Sequence, residues 1–459
     1  MFDRNILKIL SDWRNRQGRK PLVLRGARQV GKTFAVHRFG HDAFGTSIYI
    51  NLEHADHAAL FKRTMSVKDR LELIQLRFNT KITPGATLVF IDEVQNSSIA
   101  MNQLRYFYEE MPDLHVIAAG SLLEVKIKTE GFAFPVGRVE YCYLHPVTYD
   151  EFLAALGETE ALNYLRSVQP DTTIPEEIHA IMMKKFTEYL LVGGMPEAVA
   201  RYARTRSFID VDPVYESILT GLRDDVSKYA GVAKTKYIQH IIEHASKYVG
   251  HRIKYEKFGE SSFRSREMSD AFDILEKAMI ISRVFASASK QMPLMSNLKK
   301  SPKLLHLDVG LVNYQAGLRT DIAMMNDVNA VFNGQVAEQI VGQTCLAMNP
   351  RRNMNLNYWY REQRGTTSEV DYLMVINDRL VPMEVKSGKV GTLRSLHNFM
   401  DESGSDFAIR IYSGPMRSEQ IATHNQKKFT LFSVPFYLLF RIHELCKSRT
   451  SGSSSVGTP

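Results

Sequence analysis

The chain has 459 residues, 44% of them hydrophobic and 24% charged, with a formal net charge of +8. At about 150 residues per domain it holds several cores, and the composition excludes a disordered or fibrous protein. The mild basicity permits nucleic-acid binding without requiring it, and no run reaches the roughly 18 uninterrupted apolar residues of a membrane-spanning helix.

In chain order, residues 1–150 carry the β-prone runs PLVLRG, SIYINL, ATLVFIDE, LHVIAAGS and RVEYCYL, separated by helical or polar stretches. That alternation predicts an α/β unit built on a parallel sheet. Residues 151–232 show apolar residues at helical spacing with one break at GGMPEA, and read as a helical lid or connector. Over 233–330 short helices precede strand pairs, a winged-helix-like pattern. One helix is expected to start at Ser265 as its cap, with Met268, Ala271, Phe272, Leu275 and Met279 on one face. Residues 331–446 form a second α/β unit with the strand runs NLNYWYRE, EVDYLMVI and LVPMEVK, and the Ser/Gly-rich tail 447–459 is expected to be disordered.

GARQVGKT, from Gly26 through Ala27, Arg28, Gln29, Val30, Gly31 and Lys32 to Thr33, fits G-x-x-x-x-G-K-S/T between a strand and a helix-forming run. Backbone N–H groups of such a loop, backed by a helix N-terminus, point at phosphate oxygens. Lys32 is expected on the β- and γ-phosphates and Thr33 on Mg²⁺. LVFIDE then ends a buried strand in two carboxylates, Asp92 for the Mg²⁺ shell and Glu93 to orient the attacking water. VIAAGS ends another strand in Ser121, placed to sense the γ-phosphate. ATP is the expected nucleotide, since no guanine-reading motif follows.

Together RGARQVGKT, FIDEVQ, Gly137-Arg138 followed by YLHPVTYDEF, GGMPEA and SPKLLHLDVGL resemble a group of bacterial and archaeal AAA-type ATP-binding proteins, the archaeal ATPase and signal-transducing NTPase branch. The resemblance implies a P-loop NTPase of AAA/ASCE type followed by a C-terminal domain of unknown function. It also implies that Pro196 packs near the adenine and couples the lid to nucleotide state, and that Arg138 contacts phosphate in the same or a neighbouring subunit. The plainer readings of these two residues are a turn between helices and a surface ion pair. Relatives of this type suggest a homo-oligomer.

The stretch SEVDYLMVINDRLVPMEVK reads as two strands joined at Asn377-Asp378, a pair tolerant of positive φ. A hairpin symmetric about that turn sets Asp371 opposite Glu384, with Lys386 on the same face. Two opposed carboxylates repel, and a divalent cation, Mg²⁺ or Mn²⁺, between Asp371 and Glu384 would relieve them. Glu338, on a preceding helix, would complete the site, and Lys386 would stabilise developing charge. This set resembles the PD-(D/E)xK nuclease core of a restriction-endonuclease-like α/β domain, with Val370 where that motif has proline; Gln363 and Glu369 lie nearby without an assigned part. The plainer reading is a strand carrying alternating charges for solubility.

Two functions are therefore expected as alternatives. One is an ATP-regulated, metal-dependent phosphodiesterase on DNA or RNA, its nucleic-acid contacts made by Lys299, Lys300, Lys303, Arg351 and Arg352. The other is a nucleotide-switched regulator whose nuclease-like domain only binds a partner. MFDRNILKILSDW lacks the apolar core of a secretion signal, and Cys142, Cys345 and Cys446 are too far apart in sequence for a disulfide framework, so a cytoplasmic protein is expected.

Overall fold

Strands β1 (Leu22–Arg25), β2 (Thr46–Asn51), β3 (Thr87–Asp92), β4 (His115–Gly120) and β5 (Glu140–Tyr143) pair in the order β2-β3-β4-β1-β5, every pair parallel. The computed structural model describes residues 2–121, 137–230, 232–317, 334–351, 355–363, 366–388 and 393–450. β3 and β4 are buried at every residue because both sheet faces are covered there. Leu88 and Phe90 enter one core cluster while Val89 and Ile91 enter another. β1 lies between β4 and β5, yet the chain leaving it forms the helix Lys32–Ala43 and then β2 at the far edge. The crevice at the carboxyl ends of β1, β4 and β3 is where such a sheet places ligands.

The lid region is helical, with Tyr149–Ala155, Thr159–Ser167, Glu176–Val192, Pro196–Thr205 and Asp212–Ala230. Thr148 and Glu151 form a capping box at the first of these, and Pro196 opens the helix after Gly193-Gly194, where its missing N–H costs no hydrogen bond. The helix expected at Ser265 spans Ser265–Lys277 with Met268, Ala271, Phe272 and Leu275 buried, but its cap is Arg264, whose extended backbone precedes the first turn; Ser265 is already helical.

Strands β6 (Ile281–Ser287), β7 (Ser296–Asn297) and β8 (Lys303–His306) follow, β6 pairing antiparallel with both others. The C-terminal strands are β9 (Asn357–Gln363), β10 (Thr366–Ile376), β11 (Arg379–Lys386), β12 (Phe407–Tyr412), β13 (Arg417–Ala422) and β14 (Lys428–Pro435). The boundary expected at residue 330 does not divide the sheet. β6 pairs in parallel with β9 through Phe285–Asn357 and Ala286–Tyr358, giving one nine-stranded sheet, order β13-β14-β12-β11-β10-β9-β6-β7 with β8 on β6. An unpaired β6 edge would leave backbone donors and acceptors open, and β9 closes it. The expected disordered tail begins as the end of the helix Ile442–Thr450, and 451–459 lie outside the described residues. Cys142, Cys345 and Cys446 are buried, none of them in a disulfide. Among the described residues no helix is long and apolar enough to cross a membrane.

Candidate functional site

The loop from Gly26 to Thr33 joins β1 to the helix Lys32–Ala43 and turns through positive φ at Gln29 (64°) and Gly31 (91°). Gly26 is required by close approach, since a Cβ there would sit 2.6 Å from the Leu144 carbonyl oxygen. Lys32 is buried, and its Nζ donates to the carbonyl oxygens of Gly26 (2.9 Å) and Ala27 (2.8 Å). Burial lowers its pKa to about 8, the charges of Glu93 and Asp92 opposing the fall.

Asp92 ends β3 two strands away, across β4. Its Oδ2 accepts from Thr33 Oγ1 at 2.6 Å and from the Tyr49 hydroxyl at 3.2 Å, while Oδ1 accepts from the Glu93 N–H at 3.0 Å. Glu93 holds a left-handed backbone (φ 52°, ψ 42°), its Oε2 accepts from Gln95 Nε2, and burial raises its pKa. A buried ammonium, a hydroxyl and a carboxylate at the mouth of an N–H-lined loop are the donor set that a Mg²⁺-bound phosphate chain takes. Ser121 follows the last residue of β4, which pairs with the end of β1.

Pro196 packs on the loop: its Cγ lies 3.6 Å from where a Gly31 Cβ would stand. Arg28 is paired with Asp225 of the helix Asp212–Ala230. Arg138 precedes β5 at its amino end, where Glu140 pairs with Leu22, whereas the phosphate loop leaves the carboxyl end of β1. Arg138 is exposed and donates to Glu109 Oε1 at 2.7 Å.

Arg4 was not singled out in the sequence. Buried under the loop, it donates to the Val30 carbonyl at 3.0 Å, to the His145 carbonyl at 2.7 Å and to Glu151 Oε2 at 3.0 Å. A lone arginine near the N-terminus carries no motif that would reveal this. Asp308, also fully buried, accepts from the Gly194 N–H (2.6 Å), the Gly310 N–H (3.0 Å), the Leu311 N–H (3.3 Å) and Gln343 Nε2 (3.3 Å). It joins the turn before Pro196 to the helix Gly334–Ala347. Burial pushes its pKa up to about 6, against the pull of those N–H groups.

The second cluster lies on the C-terminal sheet. β10 and β11 turn at Asn377 (φ 50°) and Asp378 (φ 58°), and Tyr372 to Ile376 pair with Met383 to Arg379, the register expected for that turn. Asp371 and Glu384 are both buried beside it. Asp371 Oδ2 accepts from the Val385 N–H at 2.8 Å, and Glu384 Oε1 accepts from Lys386 Nζ at 2.7 Å. Glu384 Oε2 is buried without a hydrogen-bond partner.

Lys303 changes the reading of this site. Expected among the solvated cations, it is 0% exposed, and its Nζ bonds Glu369 Oε1 (2.7 Å), Glu338 Oε2 (2.8 Å) and Asp371 Oδ1 (3.1 Å). Glu369 also pairs with Arg252 at 3.2 Å. Burial alone would lower the Lys303 pKa, but Asp371, Glu338 and Glu369 outweigh it and hold the ammonium well above its usual value. Burial, with the Asp371 charge adding to it, raises Glu338 and Glu384. Carboxylate oxygens of Glu338, Glu369 and Asp371 lie within 4.8 Å of one another, close enough for one cation. A divalent ion takes such oxygens at about 2.0–2.6 Å, and they already carry an ammonium, so the residues as placed do not fit a metal. Lys299, Lys300 and Arg351 are exposed, and Arg352 lies outside the described residues.

Residues 18–153 match the family model described as an AAA domain; 183–322 and 333–429 match two described as domains of unknown function, DUF8612 and DUF4143. No match is found among curated proteins. Solved structures similar to this chain include the RuvB Holliday junction branch migration motor of Thermotoga maritima, at 16% identity over 65% of this chain and 93% of that one with a TM-score of 0.28. The Aeropyrum pernix ORC1 protein in complex with DNA is similar at 13% identity over 68% and 91%, with a TM-score of 0.27. The family match and the parallel sheet that carries the phosphate loop make residues 18–153 an AAA-type P-loop ATPase domain.

Proposed function

We propose that the protein binds and hydrolyses ATP at the Gly26–Thr33 loop and uses the cycle to switch its C-terminal unit between states that engage DNA or RNA differently. The observation that carries this reading is the Thr33 hydroxyl on Asp92 at 2.6 Å, beside the buried Lys32. Loop N–H groups and Lys32 would hold the phosphates. Thr33 and Asp92 would hold Mg²⁺, whose charge would draw electrons from the γ-phosphate. Glu93, made more basic by burial and steadied by Gln95, would take the hydrogen bond of the attacking water.

Ser121 is assigned to γ-phosphate sensing. Pro196, against Gly31, would pass the loop's state to the lid helices and through the Gly194–Asp308 bond to the C-terminal unit. Arg138, exposed and far from its own loop, would serve a neighbouring subunit of a homo-oligomer. The reading places the protein in the cytoplasm, in keeping with its buried thiols. ATP turnover measured on the full chain tests it: Lys32→Ala should lose nucleotide binding, and Glu93→Gln should bind ATP without hydrolysing it. Turnover unchanged in both would end the proposal.

A second reading, metal-dependent phosphodiester hydrolysis at Glu338, Asp371, Glu384 and Lys386, is favoured by the partnerless Glu384 oxygen beside Asp371. Lys303 counts against it. Incubating plasmid and single-stranded DNA with Mg²⁺ or Mn²⁺, with and without ATP, decides: cutting that disappears in Lys386→Ala supports it, and intact DNA under every condition removes it.

A further inference from the structure

The acidic cluster and its lysine come from separate parts of the chain. Glu338 lies on the helix Gly334–Ala347, Glu369 and Asp371 on β10, and Glu384 on β11, whereas Lys303 opens β8, paired to β6 at Val284 and bridged to Arg252. The lysine's backbone is thus fixed by strands preceding the C-terminal unit, and its side chain crosses into that unit's acidic centre. There the ammonium bonds three carboxylates at 2.7–3.1 Å, with the rings of Tyr358 and Tyr372 5.5 and 5.7 Å away.

Charge and distance make the occupancy exclusive. Glu338, Glu369, Asp371 and Glu384 face Lys303, Lys386 and Arg252, leaving the group with one formal negative charge in excess. A divalent ion would have to take the oxygens Lys303 holds, and the ammonium would stay within a few ångströms of it, buried and without a partner, which is strongly unfavourable. Glu384 Oε2, on a residue 5% exposed, is buried without a hydrogen-bond partner.

We propose that Lys303 is a tethered cation standing in for the metal ion: it keeps the nuclease-like site free of divalent metal and latches the strands β6–β8 to the C-terminal unit. The latch concerns this site alone and does not depend on ATP turnover at the phosphate loop.

The test is Mn²⁺ binding to the nucleotide-free full chain, followed by the electron paramagnetic resonance of free Mn²⁺, with Asp92→Asn in every sample to silence the phosphate-loop site. The parent should bind no Mn²⁺ that a further Asp371→Asn removes. Adding Lys303→Met should create one Mn²⁺ site per chain, at least about tenfold tighter than any in the parent, and lost again with Asp371→Asn. If four carboxylates without the lysine unfold the chain, refolding on Mn²⁺ addition, read by circular dichroism, supports the latch. Lys303→Met/Glu338→Gln, with one charge fewer, then provides the folded sample. A parent that binds Mn²⁺ through Asp371 overturns the proposal, as does either folded Lys303 variant that gains no site. ATP turnover of the chain with Asp92 intact is read separately, so failure of the latch and failure of the ATPase reading are distinct results.

Discussion

Lys32 gives the nucleotide site a pH signature whose sign and size follow from its burial. In the nucleotide-free chain its pKa falls from the ordinary 10.5 to about 8, chiefly because burial strips water from the ammonium. That gap corresponds to about 3 kcal/mol, the cost of keeping the charge in the empty site. The folded pKa is depressed, so this cost is fully present below pH 8 and fades as pH rises from about 8 towards 10.5. Phosphate oxygens beside Nζ restore the preference for the proton, so above pH 8 ATP binding must take one up. At about pH 9 only some one in ten free chains still carries it, and affinity should be about tenfold weaker than at pH 7. At about pH 9.5 the loss should reach roughly thirtyfold. Isothermal titration in buffers of different ionisation enthalpy measures both the dissociation constant and the proton count. Lys32→Met should bind more weakly but with a flat profile. A wild-type affinity that does not change from about pH 7.5 to about pH 9.5, with no proton taken up, would refute the argument.

Three further outcomes are expected. Arg4→Met removes the guanidinium shared by Glu151, Val30 and His145, and should cost about 3 kcal/mol in denaturant unfolding while weakening ATP binding in a fluorescent-nucleotide titration. Asp308→Ala leaves the Gly194, Gly310 and Leu311 N–H groups without their acceptor. It should cost about 2–4 kcal/mol and speed hydrogen exchange at those amides, while unchanged exchange at Gly194 would count against its joining role. Arg138→Ala should leave ATP turnover of dilute, monomeric chains unchanged, because its partner is Glu109 on the surface away from the loop.

What the sequence revealed was local. The parallel strands were legible because β-prone runs alternate with helical stretches and burial on both faces makes β3 and β4 nearly continuous apolar runs, and the phosphate loop because its glycines and lysine sit within eight residues. The β10–β11 register was legible from Asn377-Asp378, two residues that tolerate positive φ. Distance in sequence hid the rest. Lys303, in NLKKSPK, looks like one more solvated lysine; its partners lie 35, 66 and 68 residues away, and neither spacing nor composition predicts that they meet. Glu369 was seen without a part for the same reason. A sequence does not state at which end of the sheet Arg138 falls, and Arg4 stayed hidden because two of its acceptors are backbone carbonyls, which every residue has, while the third, Glu151, lies 147 residues away. Ser265 missed being the cap by one position, the usual uncertainty of helix ends.

The pairing of β6 with β9 decides where this protein can be cut. A chain ended near residue 330 would strip β9 from β6, leaving an open strand edge ready to recruit any extended peptide, and would uncover Lys303 and remove its carboxylates. The complementary fragment would keep the acidic centre but lose its cation. Neither half inherits a finished surface, so a search for partners using the isolated C-terminal unit would report the stickiness of the break, and the smallest honest bait begins before β6.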